Sequence, residues 1–401
     1  MMKLYKYLFL FLAGIICCLS AFSQIDTLSD EFDDPGTLSN WNRIYQTEGW
    51  DEDQLEVLDI NQTHAGQLVM IPYTVVWYAD YRGPLLYKNV SGDFVFTTEV
   101  EASNRAGDSY PGSDYSLAGV MVRAPKTMTN GENDWVAGQE NYVFLSVGFG
   151  STSHPSCTNC FPPHFEVKTT VNSNSDLRIS EINSLKTVIC VARMGEYLIM
   201  LRQTPGENMV VHRRYHRDDF PDNLQVGLVT YTDWPKASTF DILFQNNHQL
   251  DASVNASSNN PGLAFTPDLK ARFEYARFKE LEVPAHWTGL DLANESLVSD
   301  DSLIWLVSSA KTDGITDLKE SHSWKIFPNP GKEQLFLQAE DLRPGGVEVE
   351  IFDFQGRLVL AEKYDSNISD MKISTSVLST GLYVIWVRND GESQRFKWVK
   401  R

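Results

Sequence analysis

Between about residues 24 and 281, apolar residues recur in runs of five to nine, separated by clusters of Gly, Pro, Asn, Asp and Ser. That rhythm predicts strands joined by turns. The runs fall at 67–73, 85–90, 94–102, 117–124, 142–148, 165–171, 188–193, 197–201, 224–231 and 240–244, with 271–278 closing the series. Within the third, Phe94, Phe96, Thr98 and Val100 share one face and Val95, Thr97, Glu99 and Glu101 the other, because successive strand residues point to opposite sides. Met194-Gly195 between two runs signals a hairpin. Ten or more strands with almost no helix-period segment predict an all-β sandwich or jelly roll.

The rhythm breaks over 282–322, where Pro284, Trp287, Asn294 and a Ser/Asp-rich stretch predict an interdomain linker, with 303–307 able to pair locally. It resumes after Phe327-Pro328-Asn329-Pro330. Both prolines lack an amide donor, so this stretch flanks a sheet edge rather than running through one. Strands are expected at 334–338, at 347–351 with Val347, Val349 and Ile351 alternating, and at 357–360 after the Asp353-Phe354-Gln355-Gly356 turn. A last hairpin joins 382–388 to 394–399 through Asn389-Asp390-Gly391, residue types suited to the positive φ of tight turns. At the other end, two lysines precede the apolar residues 8–19 and the small residues Ala21 and Ser23. This predicts a signal peptide over 1–23, too short to span a bilayer.

Composition narrows the function. The chain has 401 residues, 12% aromatic and 22% charged, which suits two or three folded domains. A formal charge of −19 disfavours nucleic acid and anionic membranes as partners. The bland meaning of this acidity is solubility outside the cell.

The C-terminal segments Pro328-Asn329-Pro330, Ile351 to Gly356, Leu378-Ser379-Thr380-Gly381-Leu382-Tyr383 and the basic Lys397 to Arg401 occur in one order. Together they resemble the type A C-terminal sorting domain of Bacteroidota type IX secretion cargo. The resemblance implies an immunoglobulin-like β-sandwich over 323–401, with Pro328, Asn329, Pro330, Gly356 and Gly381 as its motif residues. It also implies reading by the type IX secretion machinery, removal of the tag, attachment to surface lipopolysaccharide, and hence a secreted or outer-membrane-attached protein.

A second resemblance rests on Asp30-Glu31-Phe32-Asp33-Asp34, Tyr81-Arg82-Gly83-Pro84-Leu85-Leu86-Tyr87, Ser91-Gly92-Asp93-Phe94 and Ala118 to Ala124, in that order. These resemble uncharacterised bacterial domains of the concanavalin A-like lectin/glucanase superfamily, and the likeness covers most of 24–281. It implies a jelly-roll sandwich and leaves sugar binding, hydrolysis and lyase chemistry open.

Glycoside hydrolysis needs two carboxylates. The Glu-x-Asp-x-x-Glu strand of the superfamily's glucanases is missing here, and Glu99 and Glu101 are the nearest substitute catalytic pair. A solvated face is the alternative for them. Trp77, Tyr78, Tyr81 and Trp135 are candidate sugar-stacking residues because turn and loop aromatics present flat apolar faces. Arg123, facing away from Val120 and Val122, is a candidate sugar clamp or a cross-strand partner of Glu99 or Glu101.

No organic cofactor is expected. Related sandwiches hold structural Ca²⁺ between terminal strands, which makes Asp30, Asp33 and Asp34 candidate calcium ligands. Cys157 and Cys160, flanked by His154 and His164, could form a zinc site, but an oxidising export route favours a disulfide. Cys190, in an apolar run, reads as a buried small hydrophobe. The expected function is a surface carbohydrate-binding protein in polysaccharide recognition or use. A glycoside hydrolase or lyase and a structural or adhesive protein without a small ligand are the alternatives.

Overall fold

Strand alternation is what allows two sheets to share one core in the computed structural model, which describes residues 25–254, 262–310, 324–339, 346–354, 356–364, 370–389 and 392–401. The expected signal peptide and the Asp390-Gly391 turn lie outside the described residues. The chain divides into two units, residues 1–313 and 314–401.

The first unit runs β1 (Asn42–Arg43), helix α1 (Ile44–Glu48), β2 (Leu55–Ile60), β3 (Leu68–Pro72), β4 (Leu85–Ser91), β5 (Phe94–Ser103), β6 (Ser116–Arg123) and β7 (Tyr142–Phe149). It continues with β8 (His164–Val171), β9 (Asn174–Glu181), β10 (Lys186–Met194), β11 (Tyr197–Gln203), β12 (Val210–His216) and β13 (Asn223–Tyr231). Short helices α2 (Trp234–Ala237) and α3 (Ile242–Asn247), strand β14 (Lys270–Glu280) and helix α4 (Asp300–Ser308) complete it. Sheet I has the order β1-β4-β13-β6-β7-β8-β9 and sheet II β12-β11-β10-β5-β14-β3-β2. This is the expected all-β jelly-roll sandwich.

The inward residues are the ones alternation selects. Phe94, Phe96 and Val100 of β5 meet Val120, Val122, Val143, Leu145, Leu224, Val226 and Leu228 of sheet I. Phe96 and Phe278 pack as tilted rings with centroids 4.5 Å apart. Each such buried side chain contributes roughly 1.5–3 kcal/mol.

Four sequence expectations change. The apolar run 240–244 enters helix α3 instead of a strand. The expected first strand at Asp30 reduces to a single bridge with Ala276. Strands β2, β9 and β12, which the apolar rhythm does not mark, lie at sheet edges. The polar composition of β9 and β12 (NSDLRISE and VVHRRYH) suits an edge, where charge discourages pairing with another chain.

The fourth change concerns the expected linker. Residues 303–307 lie in helix α4, begun by Ser299, whose Oγ accepts the Ser302 amide at 3.2 Å. Trp287, Leu292, Val298, Leu303, Leu306 and Val307 pack on Val95, Ala192, Ile199 and Leu201, on the outer side of sheet II. Arg214 of β12 donates to the carbonyls of Leu292 and Val298 at 3.0 and 2.7 Å. Residues 282–310 therefore belong to the first unit. Cys190 is a free, buried thiol in this layer, pushed up to about 12 by desolvation.

The second unit pairs a sheet β15-β16-β19 with a sheet β18-β17-β20-β21. The strands are β15 (Trp324–Phe327), β16 (Gln334–Ala339), β17 (Val347–Asp353), β18 (Leu358–Tyr364), β19 (Asp370–Ser374), β20 (Gly381–Asn389) and β21 (Glu392–Lys400). Leu335, Leu337, Val349, Ile351, Ile385 and Trp398 fill its core. The Pro328-Asn329-Pro330 segment flanks an edge, as its prolines require. The Asn329 side chain donates to Lys397 O at 2.7 Å and accepts from Val399 N at 3.0 Å, while Trp398 Nε1 donates to Pro328 O at 2.8 Å. Gly356 takes a φ of 76° in the turn after Asp353, a conformation that favours glycine.

Candidate functional site

Register maps the outer face of sheet I. One row reads Tyr87, Gly227, Met121, Phe144, Lys168, Leu177; the next reads Leu85, Val229, Gly119, Ser146, Glu166, Ile179. Most of this face is buried. Residues 73–84 cross it as a strap. Val75 bridges Thr232 and Val76 N donates to Gln245 Oε1 at 3.0 Å. Ala79 N donates to Ser175 Oγ at 2.9 Å, and Asp80 accepts from Ser173 Oγ at 2.5 Å and Gly138 N at 3.1 Å. Gly83 is required beneath it, since a Cβ there would lie 2.8 Å from the Trp77 ring.

Under one side of the strap is a buried charge network. Arg123 donates to both Glu140 oxygens at 2.8 and 3.0 Å and to Gln225 Oε1 at 2.6 Å, and lies 2.7 Å from Glu48. Lys126 reaches Glu140 at 2.6 Å. Burial disfavours the Arg123 charge, but Glu140 and Glu48 outweigh it and raise its pKa. Arg82, with its guanidinium over the Trp50 ring, is lowered to about 9 by burial against the opposing pull of Glu48.

At the strap's other end a cavity of about 210 Å³ remains. Trp77, Tyr78, Tyr115, Tyr231 and Trp234 form its aromatic walls, Val76 and Leu177 add apolar surface, and Lys168 and His154 complete the lining. Trp234 meets Tyr78 and Tyr115 edge-on at 5.4 and 6.1 Å. Lys168 Nζ donates to Trp77 O at 2.7 Å, sits 2.9 Å from Glu166, and lies 4.5 Å from the Phe144 ring centroid and 5.6 Å from that of Tyr231. Desolvation lowers Lys168 and Glu166 opposes it. The Tyr115 phenol is pushed up to about 12 by burial and then by Glu166, so it stays protonated and able to donate. Such walls and floor can stack an apolar ring face and hydrogen-bond hydroxyls.

The structure brings together two of the sequence candidates, Trp77 and Tyr78. Tyr81 packs on Trp234 and donates to Phe240 O at 2.9 Å, bracing the wall from behind. Arg123 is a correction: it belongs to sheet I, is fully buried and bonds Glu48, Glu140 and Gln225, so it pairs with neither Glu99 nor Glu101 and is closed to a ligand. Trp135 does not line the cavity.

Glu99 and Glu101 share a face, as alternation predicts, but on the outside of sheet II. Glu99 pairs with Lys186 at 2.5 Å and Glu101 with Arg272. Asp30 places one oxygen 2.9 Å from Phe32 N and the other 2.9 Å from Trp41 Nε1. Asp34 caps the turn at Gly36, and among the described residues no three His, Cys, Asp or Glu side chains converge on a metal-sized site. Cys157 and Cys160 form a disulfide. His154 bonds Ser156 Oγ at 2.8 Å and His164 accepts from Gly150 N at 3.2 Å, and with both sulfurs in the disulfide the two imidazoles form no zinc-ligand set with them.

Sequence reading missed Lys168, Tyr115, Tyr231, Leu177, Trp234 and His154. Phe144, Lys168 and Leu177 become neighbours only through the β7-β8-β9 register. The available signal was Lys168 itself, a charge inside the apolar run 165–171.

Residues 325–401 match the family described as secretion system C-terminal sorting domain. Type IX secretion machinery is therefore a partner of this chain, and the protein is secreted or attached at the cell surface. Among the described residues no helix is long and apolar enough to cross a membrane. A comparison with curated proteins finds no match. Among solved structures, the chain is similar to a functionally unknown protein from Saccharomyces cerevisiae (12% identity, 61% of this chain and 99% of that one, TM-score 0.38). It is similar also to a legume lectin-like domain from Entamoeba histolytica (9%, 64% and 99%, 0.37). A third is the GH43 protein BlXynB from Bacillus licheniformis (11%, 63% of this chain, 0.37), of which the match spans 39%.

Proposed function

We propose that this protein is an exported carbohydrate-binding protein serving polysaccharide recognition at the cell surface, with its sugar site in the cavity beneath Trp77 and Trp234. The observation that carries this is the convergence of five aromatic side chains, one lysine and one histidine on a single cavity. Aromatic faces supply stacking area, and the phenol and imidazole supply hydrogen bonds to hydroxyls. Binding is favoured over hydrolysis because among the described residues no carboxylate lines the cavity, whereas hydrolysis needs two flanking the bond. Glu166 is fully buried outside the lining, and one of its oxygens is engaged by Lys168 and Tyr231. After export the sorting domain is removed and the mature chain is attached to surface lipopolysaccharide.

The test is a glycan array, together with pull-down on insoluble polysaccharides, using the chain from residue 24. Retention on at least one glycan class without sugar release is expected. No retention on any would leave a structural or adhesive role, and sugar release would favour the enzyme.

A further inference from the structure

We infer that the cavity takes one terminal sugar ring, so that the protein recognises the ends of glycan chains rather than their interiors. This rests on the carbohydrate reading above and adds the class of ligand.

A chain interior is gripped by a groove open at both ends, with neighbouring rings on either side of the central one. The outer face of sheet I has no such groove, because the strap closes it. On one side the strap is fixed to α3, where Gln245 accepts from Val76 N and Asn246 donates to Asp80 O at 2.9 Å. On the other it is fixed to the β8-β9 turn through Ser173 and Ser175. Between them Lys168 ties floor to roof by its 2.7 Å bond to Trp77 O. A polymer entering past Leu177 and Trp234 therefore meets a wall at Lys168. Beyond that wall the space is filled by Tyr142, stacked on Phe144 and edge-on to Trp77 at 5.5 Å, and by the Arg123 network.

Size agrees. The cavity measures about 210 Å³. It falls below the roughly 300–1,000 Å³ of sites that enclose drug-sized ligands. One pyranose or furanose ring with its hydroxyls fits, and a second would stand outside. Tyr78, Tyr115 and Trp234 are only half-buried, leaving faces available to the entering ring.

The test is calorimetric titration of the mature chain with linear laminari-, xylo-, manno- and malto-oligosaccharides of one to six rings, and with a ring-closed malto-oligosaccharide. For the series that binds, affinity should level off by the second ring and change by less than about threefold thereafter, and the closed ring should not bind. Affinity that climbs steadily to six rings, or equal binding of closed and open chains, overturns end recognition while leaving carbohydrate binding in place. No heat of binding in any series overturns both.

Discussion

Arg123 arrives on β6 as a cation in an otherwise apolar strand, and the fold surrounds it with Glu48, Glu140 and Gln225. Removing one partner from such a buried set leaves charge without compensation. Glu140→Gln is therefore expected to cost about 3–5 kcal/mol at neutral pH, measured by urea denaturation; a loss under about 1 kcal/mol would contradict the network's role. The pH dependence has a definite sign. Burial alone would raise the Glu140 carboxyl, but Arg123 and Lys126 outweigh it and hold it at about 2, below the ~4.3 of an unfolded chain. Its contribution is present above the unfolded value and is lost as pH falls toward 2. In the glutamine variant the acid-side decline in stability should be shallower over that window. At this scale the sequence shows which residues are unusual and not what they meet. The orientation of Arg123, opposite to Val122, follows from alternation; its charged partners come from α1 and from the segment before β7, and no spacing rule joins those to β6.

Strands announce themselves where both faces are buried. β6, β7 and β13 were legible as apolar runs because sheet I is covered on its core side and again by the strap. β9 and β12, polar and at edges, carry no such signal. The run 240–244 misleads for the opposite reason: Phe240, just before α3, stacks at 5.6 Å on Phe244 within it, a contact an apolar run alone does not distinguish from a strand. Residues 282–310 are misleading in a third way. Their Ser and Asp residues read as a linker, while Trp287, Leu292, Leu303 and Leu306, spaced too widely to form a strand, cover Val95 and Ile199. A fragment ending at residue 281 would expose that apolar layer. It should melt lower than a fragment ending at 310 and bind a hydrophobic dye that the longer one ignores. Identical melting temperatures would return 282–310 to the status of a linker.

For the whole molecule, the sorting domain gives a destination and the sandwich a reason to be there. Deleting Lys397 to Arg401 removes Trp398, which is fully buried, and the strand that Asn329 holds. The truncated protein should collect in the periplasm; normal surface display, followed by cell fractionation, would contradict the sorting account. Export and fold class were legible in the sequence because they rest on contiguous motifs and periodicity, whereas the layer over 282–310 was not. The cavity was legible only in Trp77 and Tyr78, which lie on one turn, because the rest of its lining is brought together by strand register and by the strap, which no sequence motif encodes. The central claim is that this cavity binds sugar, and plugging it tests that most directly. Leu177 is a half-buried wall residue on edge strand β9, so Leu177→Trp fills the space without removing a hydrogen bond. Compared on the same glycan array, the wild-type chain should be retained and the variant, with an unchanged melting temperature, should not. Equal retention of the two would contradict the account.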